Sequence, residues 1–273
     1  MESLPTVIDG PVVAIGDVHG QTEKLLRLID HLEQAGVLEQ RAIVFLGDLV
    51  DRGPDSRGTI DLVLELLRDF PQATSVCGNH DLAMAAALGW IETPPIARWA
   101  FRWIDHYNSD ATFRSYGVQS SNLNELDRAV PAPHRQLLSG LPWAVEHPDY
   151  LFVHAGLDPE IPWEDQLAAL RQPDFSENRP RWLCSRKLAT TPVPEDCPLT
   201  VVSGHVPVKN VFFDERRIRV DTTGGSQGEL SAVLLPENRV FTSAGEQPAG
   251  QNRSPISTSN RPARTGSSGS GTN

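Results

Sequence analysis

The chain has 273 residues, of which 39% are hydrophobic and 22% are charged, and its formal net charge is −11. This composition supports a packed core and excludes a disordered or collagen-like chain. An acidic surface repels phosphate backbones, so no nucleic-acid partner is expected.

The sequence also limits where the protein acts. No apolar run approaches the ~20 residues needed to span a membrane, and the N-terminus, MESLPTVIDG, lacks the features of a signal peptide. Three cysteines (Cys77, Cys184 and Cys197) form no C-x-x-C pair. They favour a reducing compartment over a disulfide framework or a structural zinc site. A cytoplasmic protein without a membrane partner is expected.

The first part of the chain alternates short apolar runs with amphipathic stretches. The pattern predicts strands at 12–15, 42–46 and 73–77, and helices at 21–35, 59–70 and 81–88. Such alternation predicts an α/β fold. Residues 90–145 are expected to be mostly helices and loops.

The rest of the chain is rich in predicted strands, at 150–153, 200–203, 211–213, 217–220 and 230–235. Short strands in succession predict a second, more antiparallel sheet, and therefore a two-sheet sandwich flanked by helices. The catalytic domain is expected to span residues 8–243. Residues 246–273 are rich in Ser, Gly and Pro and predict a disordered tail.

Five predicted strands are each followed at once by a residue that can bind a metal ion. The motifs are GDVHG (16–20), GDLVDRG (47–53), GNHD (78–81), HAG (154–156) and GH (204–205). Ligands of α/β sheets bind at the carboxyl ends of strands, so these side chains are expected to converge. The converging set is Asp17, His19, Asp48, Asn79, His154 and His205.

This set contains oxygen and nitrogen ligands and no thiolate, which suits manganese, iron or zinc. Two divalent ions that share a bridging carboxylate would use all six residues. Such a pair clamps a phosphoryl group and lowers the pKa of a shared water toward roughly 7. Each motif alone is more simply an ordinary turn, but five together favour the dinuclear centre. The other histidines (His31, His106, His134 and His147) receive no role, and the six tryptophans are assigned to the core.

In this order, the five motifs resemble the phosphoprotein phosphatase branch of the calcineurin-like metallophosphoesterase superfamily, over about residues 11–236. The Asp51-Arg52-Gly53 extension is specific to this branch, and the stretch NSDATFRSYG (108–117) is similar to bacterial members. The resemblance implies a four-layer α/β/β/α fold, with two mixed sheets flanked by helices. It also implies a relationship to diadenosine tetraphosphatases.

The resemblance further implies the role of each site residue. Asp17 and His19 would bind the first metal, Asp48 would bridge both, and Asn79, His154 and His205 would bind the second. His80 would protonate the leaving oxygen and Asp51 would orient it. Arg52 and Asn79 would hold the phosphate. A hydroxide that bridges the metals would attack phosphorus in line, so no phosphoenzyme is expected.

A second arginine normally completes the phosphate grip between the last two metal-binding histidines. Here the stretch 181–186 reads RWLCSR. Arg186 is favoured and Arg181 is the alternative, and either could instead be a surface arginine.

The resemblance leaves two substrate classes open. Asp81 stands where protein phosphatases usually have Glu and where diadenosine tetraphosphate hydrolases usually have Asp. Those hydrolases tend to lack an acid at position 51, which is present here. The segment DTTGG (221–225) resembles the family's Asp-Thr-Gly loop, with Thr223 in place of Gly.

The sequence therefore predicts a protein serine/threonine phosphatase that acts on a phosphorylated protein. The alternative is a bis(5'-nucleosyl)-tetraphosphatase that acts on a dinucleoside polyphosphate. A non-catalytic metal- or phosphopeptide-binding module is a third hypothesis.

Overall fold

The computed structural model describes residues 3–176, 178–223 and 227–248. Two β-sheets pack face to face, and helices cover their outer faces. The strands are β1 (Val12–Ile15), β2 (Ala42–Phe45), β3 (Thr74–Ser75), β4 (Ala144–Glu146), β5 (Tyr150–Val153), β6 (Thr200–Ser203), β7 (Phe212–Phe213), β8 (Arg217–Arg219), β9 (Ser231–Leu235), β10 (Arg239–Thr242) and β11 (Gly245–Glu246).

The helices lie mainly between β1 and β4. They are α1 (Thr22–Gln34), α2 (Ser56–Asp69), α3 (Asn79–Ala87), α4 (Trp99–His106), α5 (Asp110–Ser115), α6 (Leu123–Ala129), α7 (Ala132–Ser139), α8 (Trp163–Arg171) and α9 (Arg181–Cys184), with a 3₁₀ turn at Pro95–Ala97. None of the helices in the described ranges is both long and apolar enough to cross a membrane.

Both sheets are mixed. The first has the order β11-β10-β9-β1-β2-β3 and the second has the order β4-β5-β6-β8-β7. Strands β1, β2 and β3 run parallel, as do β5, β6 and β8. The predicted α/β fold with two mixed sheets flanked by helices is confirmed.

The expectation that the later strands form a second, more antiparallel sheet is wrong in two respects. The central strands of that sheet are parallel, because long crossovers join them. Strand β9 instead returns to the first sheet and pairs antiparallel with β1.

Side chains along each strand point alternately to the two faces of the sheet, and this separates two apolar layers. Val12 and Ala14 face the second sheet, whereas Val13 and Ile15 face the helices. Phe152 and Ile218 of the second sheet point into the same space between the sheets. Because these strands are buried on both faces, they read as continuous apolar runs rather than as alternating ones.

Several element ends differ from the predictions for local reasons. Helix α2 begins at Ser56 because the Asp55 carboxylate caps it, accepting a hydrogen bond from Gly58 N at 2.8 Å. Helix α3 begins at Asn79, so Asn79 and His80 lie in its first turn. Strand β3 covers only two of the five predicted residues, since it pairs with β2 alone at the edge of its sheet.

The predicted domain boundary falls near the last hairpin. Strand β11 pairs with β10 and includes Glu246, the first residue of the predicted tail. Residues 249–273 lie outside the described residues. The disordered tail and the limits 8–243 therefore stay predictions.

Candidate metal centre

Five loops meet where the carboxyl ends of β1, β2, β3, β5 and β6 lie together. The His205 backbone N–H donates to the Asp17 carboxylate at 3.0 Å, which joins loops from the two sheets. His19 Nε2 lies 3.4 Å from Asp48 Oδ2, and His154 Nε2 lies 3.3 Å from the same oxygen. The six residues that the sequence predicts to converge are thus neighbours. All are buried except His205, which is half-buried.

Asp48 is common to two groups of potential ligands. One group consists of His19, Asp48 and His80, and the other of Asp48, His154 and His205, with the ligand atoms of each within 4.8 Å of one another. A carboxylate that belongs to both groups is placed to bridge two cations. His80 completes the first group, where the sequence prediction has Asp17.

Backbone carbonyls fix two of the imidazole rings. His19 Nδ1 lies 2.9 Å from the Val50 carbonyl oxygen and His154 Nδ1 lies 2.6 Å from that of Leu46. A carbonyl only accepts, so each Nδ1 carries a proton and each Nε2 is turned toward the site. His19 Nε2 is buried and has no hydrogen-bond partner in the described part of the chain.

Around His154 Nε2, potential ligand atoms crowd together. Asn79 Oδ1 and His205 Nδ1 each lie 3.2 Å from it. Two imidazole nitrogens and an amide oxygen this close together are better explained as ligands of one cation than as hydrogen-bond partners of one another. The donor set therefore fits divalent metal ions.

Charge in the site supports the same conclusion. Burial raises the pKa of Asp17 well above its usual value, and Asp221 and Asp48 raise it further. Burial also raises the pKa of Asp48, but the imidazoles of His154 and His80 outweigh it and hold that pKa well below its usual value. Burial raises the pKa of Asp81 to about 6. This crowding of buried carboxylates favours bound cations.

The His154 imidazole compensates part of the negative charge of these carboxylates. Burial lowers its pKa, but Asp48 outweighs burial and raises it to about 10. Burial and the neighbouring His154 lower the pKa of His205 to about 3. Without a metal ion, His154 is therefore a positively charged imidazolium beside Asp48, whereas His205 is neutral. The neutral imidazole is the form that binds metals.

Left-handed backbone conformations cluster in these loops. Five of the nine described non-glycine residues with positive φ are His19, Asp48, Asp51, Arg52 and His205, with φ between 48° and 72°. Such conformations are costly and persist only where the surroundings enforce them. At Gly78 and Gly204 a Cβ atom would clash with the carboxylates of Asp48 and Asp17, respectively, so both positions require glycine.

A second cluster lies beside Asp48. His80 Nδ1 is 2.8 Å from Asp51 Oδ2, and Arg52 Nη2 is 3.1 Å from His80 Nε2. Because a guanidinium only donates, His80 Nε2 accepts this hydrogen bond and the ring proton sits on Nδ1. The three residues form a continuous chain from the buried Asp51 to the half-buried Arg52.

Two helices outside the sheets fix Asp51, and the sequence did not predict this. Trp103 Nε1 of α4 donates to Asp51 Oδ2 at 2.8 Å, and Thr112 Oγ1 of α5 donates to Asp51 Oδ1 at 2.7 Å. Trp103 is a core residue, as predicted, but its indole N–H also serves the site. The only sequence signal for Thr112 is its place in the stretch 108–117.

Asp81 braces two of the loops. Its carboxylate accepts hydrogen bonds from the backbone N–H groups of Asp48 at 2.8 Å, Leu49 at 2.9 Å and Gly78 at 3.0 Å. The loop after β2 is thereby tied to the start of α3. Asp81 thus has a structural role that the sequence did not reveal.

The arginines near the site differ in their partners. Arg181 forms an ion pair with Asp158 at 2.7 Å and is exposed. Arg186 is also exposed, and its charge acts on His205. Arg179, which the sequence did not single out, interacts with Tyr107, whose ring lies 4.7 Å from that of His80. Arg186 as the second phosphate-binding arginine, with Arg181 as the alternative, stays a prediction.

The remaining sequence predictions concern residues around the centre. Asp221 is buried, and Thr223 Oγ1 donates to the Asp17 carbonyl oxygen at 3.0 Å, so this loop lies against the site. Gly224 and Gly225 lie outside the described residues. His31, His134 and His147 bond to groups away from the centre.

The chain belongs to the calcineurin-like phosphoesterase family, whose model matches residues 10–237. This confirms the superfamily that the five motifs indicate.

Curated relatives fall into two functional groups. The catalytic subunit of serine/threonine-protein phosphatase 4 from Candida glabrata is 41% identical over 163 residues, which is 52% of this chain and 52% of that protein. A symmetrical bis(5'-nucleosyl)-tetraphosphatase from Bordetella parapertussis is 38% identical over 85 residues, 31% of this chain and 29% of that protein. The chain spans about half or less of the length of these relatives.

A solved structure of a candidate diadenosine tetraphosphatase superposes with a TM-score of 0.55 at 22% identity. The match covers 90% of this chain and 100% of that one. At this identity the likeness supports the fold alone.

Replacing the shared carboxylate tests the dinuclear arrangement. Asp48→Asn is expected to lose both metal ions, because both groups of ligands contain Asp48. Metal content per chain, measured by mass spectrometry after gel filtration, checks this. Asp61→Asn is the matched control, since Asp61 pairs with His134 away from the centre. Retention of one full equivalent by Asp48→Asn would contradict the bridging position.

Proposed function

We propose that the protein is a dinuclear-metal-dependent phosphoester hydrolase, and that its substrates are phosphoserine or phosphothreonine residues in proteins. Family membership and the ligand set support the metal-dependent chemistry. The observation that carries the proposal is the Asp51–His80–Arg52 chain, which lies directly beside the shared Asp48. It supplies a proton donor and a phosphate-binding cation at the same place.

The six predicted residues would hold the metals. Asp17 and His19 serve the first, Asp48 serves both, and Asn79, His154 and His205 serve the second. When bound, two divalent ions such as manganese, iron or zinc would activate water for in-line attack and neutralise charge on the phosphate oxygens. The chain's own residues then orient the substrate and move the proton.

His80 is proposed as the general acid. A serine or threonine alkoxide is a poor leaving group, so a positioned proton donor contributes about 10²–10⁴-fold. Asp51 holds the Nδ1–H, which turns Nε2 toward the substrate. An acid held in this way favours a phosphate monoester over a polyphosphate chain, whose leaving group is already an anion of low basicity.

Arg52, Arg186 and Asn79 are proposed to bind the phosphate. A guanidinium offers a planar fork that matches two phosphate oxygens. When Arg52 turns from His80 Nε2 to the substrate, Nε2 becomes available to carry the proton. Arg186 approaches from the side of His205.

The alternative activity is that of a bis(5'-nucleosyl)-tetraphosphatase. It is supported by the Bordetella relative and by Asp81, the residue that such hydrolases usually have at this position. A non-catalytic metal- or phosphopeptide-binding module is less well supported, because the acid and Arg52 accompany the complete ligand set. A cytoplasmic location is proposed from three buried free cysteines.

A substrate panel on the metal-loaded protein tests the proposed function. We expect kcat/KM for a phosphoserine or phosphothreonine peptide to exceed that for diadenosine tetraphosphate. A chelator should abolish turnover, and added metal should restore it. The opposite ranking would establish the tetraphosphatase, and metal binding without turnover of either substrate would leave only the binding module.

The general acid can be tested through the leaving group. His80→Asn should lower kcat for a phosphoserine peptide by about 10²–10⁴-fold, but lower it much less for nitrophenyl phosphate, whose leaving group needs no proton. His106→Asn, an exposed position on α4, is the control and should behave as the unmodified protein. Equal losses on both substrates would refute the assignment of His80.

The contact from α4 makes a separate prediction. Trp103→Phe removes one donor to Asp51, a hydrogen bond to a charged group worth about 1.5–3 kcal/mol. If between half and all of that free energy acts in the transition state, kcat falls by about fourfold to 160-fold while the metal content is unchanged.

The matched control for Trp103 is Trp99→Phe. Trp99 is also buried on α4, but its indole N–H has no partner within the described residues. This substitution should leave kcat unchanged. Equal kcat values for the two variants would show that the contact to Asp51 has no part in turnover.

A further inference from the structure

The C-terminal end of α4 lies against the chain of Asp51, His80 and Arg52. Trp103 Nε1 donates to Asp51 Oδ2 at 2.8 Å. One turn further on, at the end of the helix, the Tyr107 ring lies against the His80 imidazole, with the ring centroids 4.7 Å apart and the ring planes 70° apart. Residues four apart lie on the same face of a helix, so one face of α4 contacts both Asp51 and His80.

The residue after Tyr107 holds the third member of that chain. The Asn108 carbonyl oxygen accepts a hydrogen bond from the Arg52 backbone N–H at 3.2 Å. Arg52 has a left-handed backbone conformation, with φ of 65°, which persists only where the surroundings enforce it. The end of α4 therefore fixes the backbone of Arg52 as well as placing a ring beside His80.

Tyr107 is itself held in place. Only 8% of its surface is exposed, and its ring centroid lies 6.4 Å from that of Trp99. Its hydroxyl interacts with the side chain of Asn79, and burial raises the pKa of Tyr107 to about 12, so the hydroxyl stays protonated at neutral pH. The ring is thus a fixed surface for the imidazole that packs on it.

The His80 imidazole depends on such a surface during turnover. Hydrogen bonds hold both of its nitrogens in the structure, Nδ1 to Asp51 at 2.8 Å and Nε2 to Arg52 at 3.1 Å. The proposed function turns Arg52 toward the phosphate and leaves the bond at Nδ1. Because the Cβ–Cγ torsion of a histidine is broad, one hydrogen bond does not fix the plane of the ring. Two ring contacts then remain in the described part of the chain, one to His19 at 4.6 Å and one to Tyr107.

We propose that Tyr107 is a positioning residue for the general acid, and that its ring keeps the His80 imidazole aligned with the leaving oxygen after Arg52 has turned to the phosphate. This inference rests on the proposed function, because the alignment matters only if His80 gives a proton to the leaving group. An aromatic pair that acts fully in the transition state contributes about twofold to 13-fold to the rate.

Two variants separate the ring of Tyr107 from its hydroxyl. Tyr107→Leu stays apolar but loses the ring, so kcat for a phosphoserine peptide should fall by about twofold to 13-fold with KM and metal content unchanged. The kcat for nitrophenyl phosphate should not change, because its leaving group needs no proton. Tyr107→Phe keeps the ring and should restore kcat for the peptide.

The matched control for these variants is Tyr150→Leu. Tyr150 also packs on a histidine, His147, with the ring centroids 5.2 Å apart, and it begins β5 at the end opposite His154. This substitution should leave kcat unchanged for both substrates. An unchanged kcat in Tyr107→Leu, equal losses on both substrates, or a Tyr107→Phe variant as slow as Tyr107→Leu would overturn the proposal.

A spectroscopic measurement reports on the ring without turnover. The Nδ1–H proton of His80, assigned by its absence from His80→Asn, is observed by NMR in the full-length protein loaded with zinc, which is diamagnetic. It should exchange slowly with water in the unmodified protein and several-fold faster in Tyr107→Leu. A proton that already exchanges fast in the unmodified protein would refute the proposal without any variant of Tyr107.

The two measurements distinguish failure of this inference from failure of the proposed function. If the unmodified protein hydrolyses no phosphoserine peptide, the proposed function fails, and the exchange rate then decides whether Tyr107 holds the ring. If the peptide is hydrolysed but Tyr107→Leu changes neither kcat nor the exchange rate, only the role of Tyr107 is refuted.

Discussion

The site depends on one buried carboxylate, that of Asp48, which faces imidazoles from both sheets. His19 reaches it from the loop after β1 and His154 from the loop after β5, at 3.4 and 3.3 Å. Its other oxygen accepts the His80 backbone N–H at 2.8 Å, which fixes the start of α3. Asp81 in turn holds the backbone N–H of Asp48. The candidate metal ligands and the first turn of α3, which carries His80, are therefore positioned through the same group.

The convergence of the candidate metal ligands could be predicted from sequence because their placement is a property of parallel strands. A residue that follows a buried strand must lie at the carboxyl end of the sheet, whatever the rest of the chain does. The two sheets could be predicted from the succession of apolar runs, and their mixed character from the family resemblance. The position of β9 could not be predicted, because its apolar run fits the edge of either sheet and only tertiary packing selects β1 as its partner.

The contacts that orient Asp51 are of a different kind. Trp103 and Thr112 lie on short helices, and their relation to Asp51 depends on how α4 packs on α3 and how α5 packs on α2. No local pattern encodes that docking, and a buried tryptophan is most simply a core residue. The segment between α3 and β4 thus holds Asp51 through side chains that look purely structural in the sequence.

The two sheets meet through aliphatic and aromatic side chains such as Val44, Phe152 and Val202. Such an interface holds the sheets together by burial of apolar surface and not by directional bonds. Asp48 and Asn79 on one side and His154 and His205 on the other would make the second bound cation a cross-link between the halves of the sandwich. Uptake of metal and consolidation of the fold are then coupled, so that a protein starved of metal would lose rigidity first at the seam between the sheets.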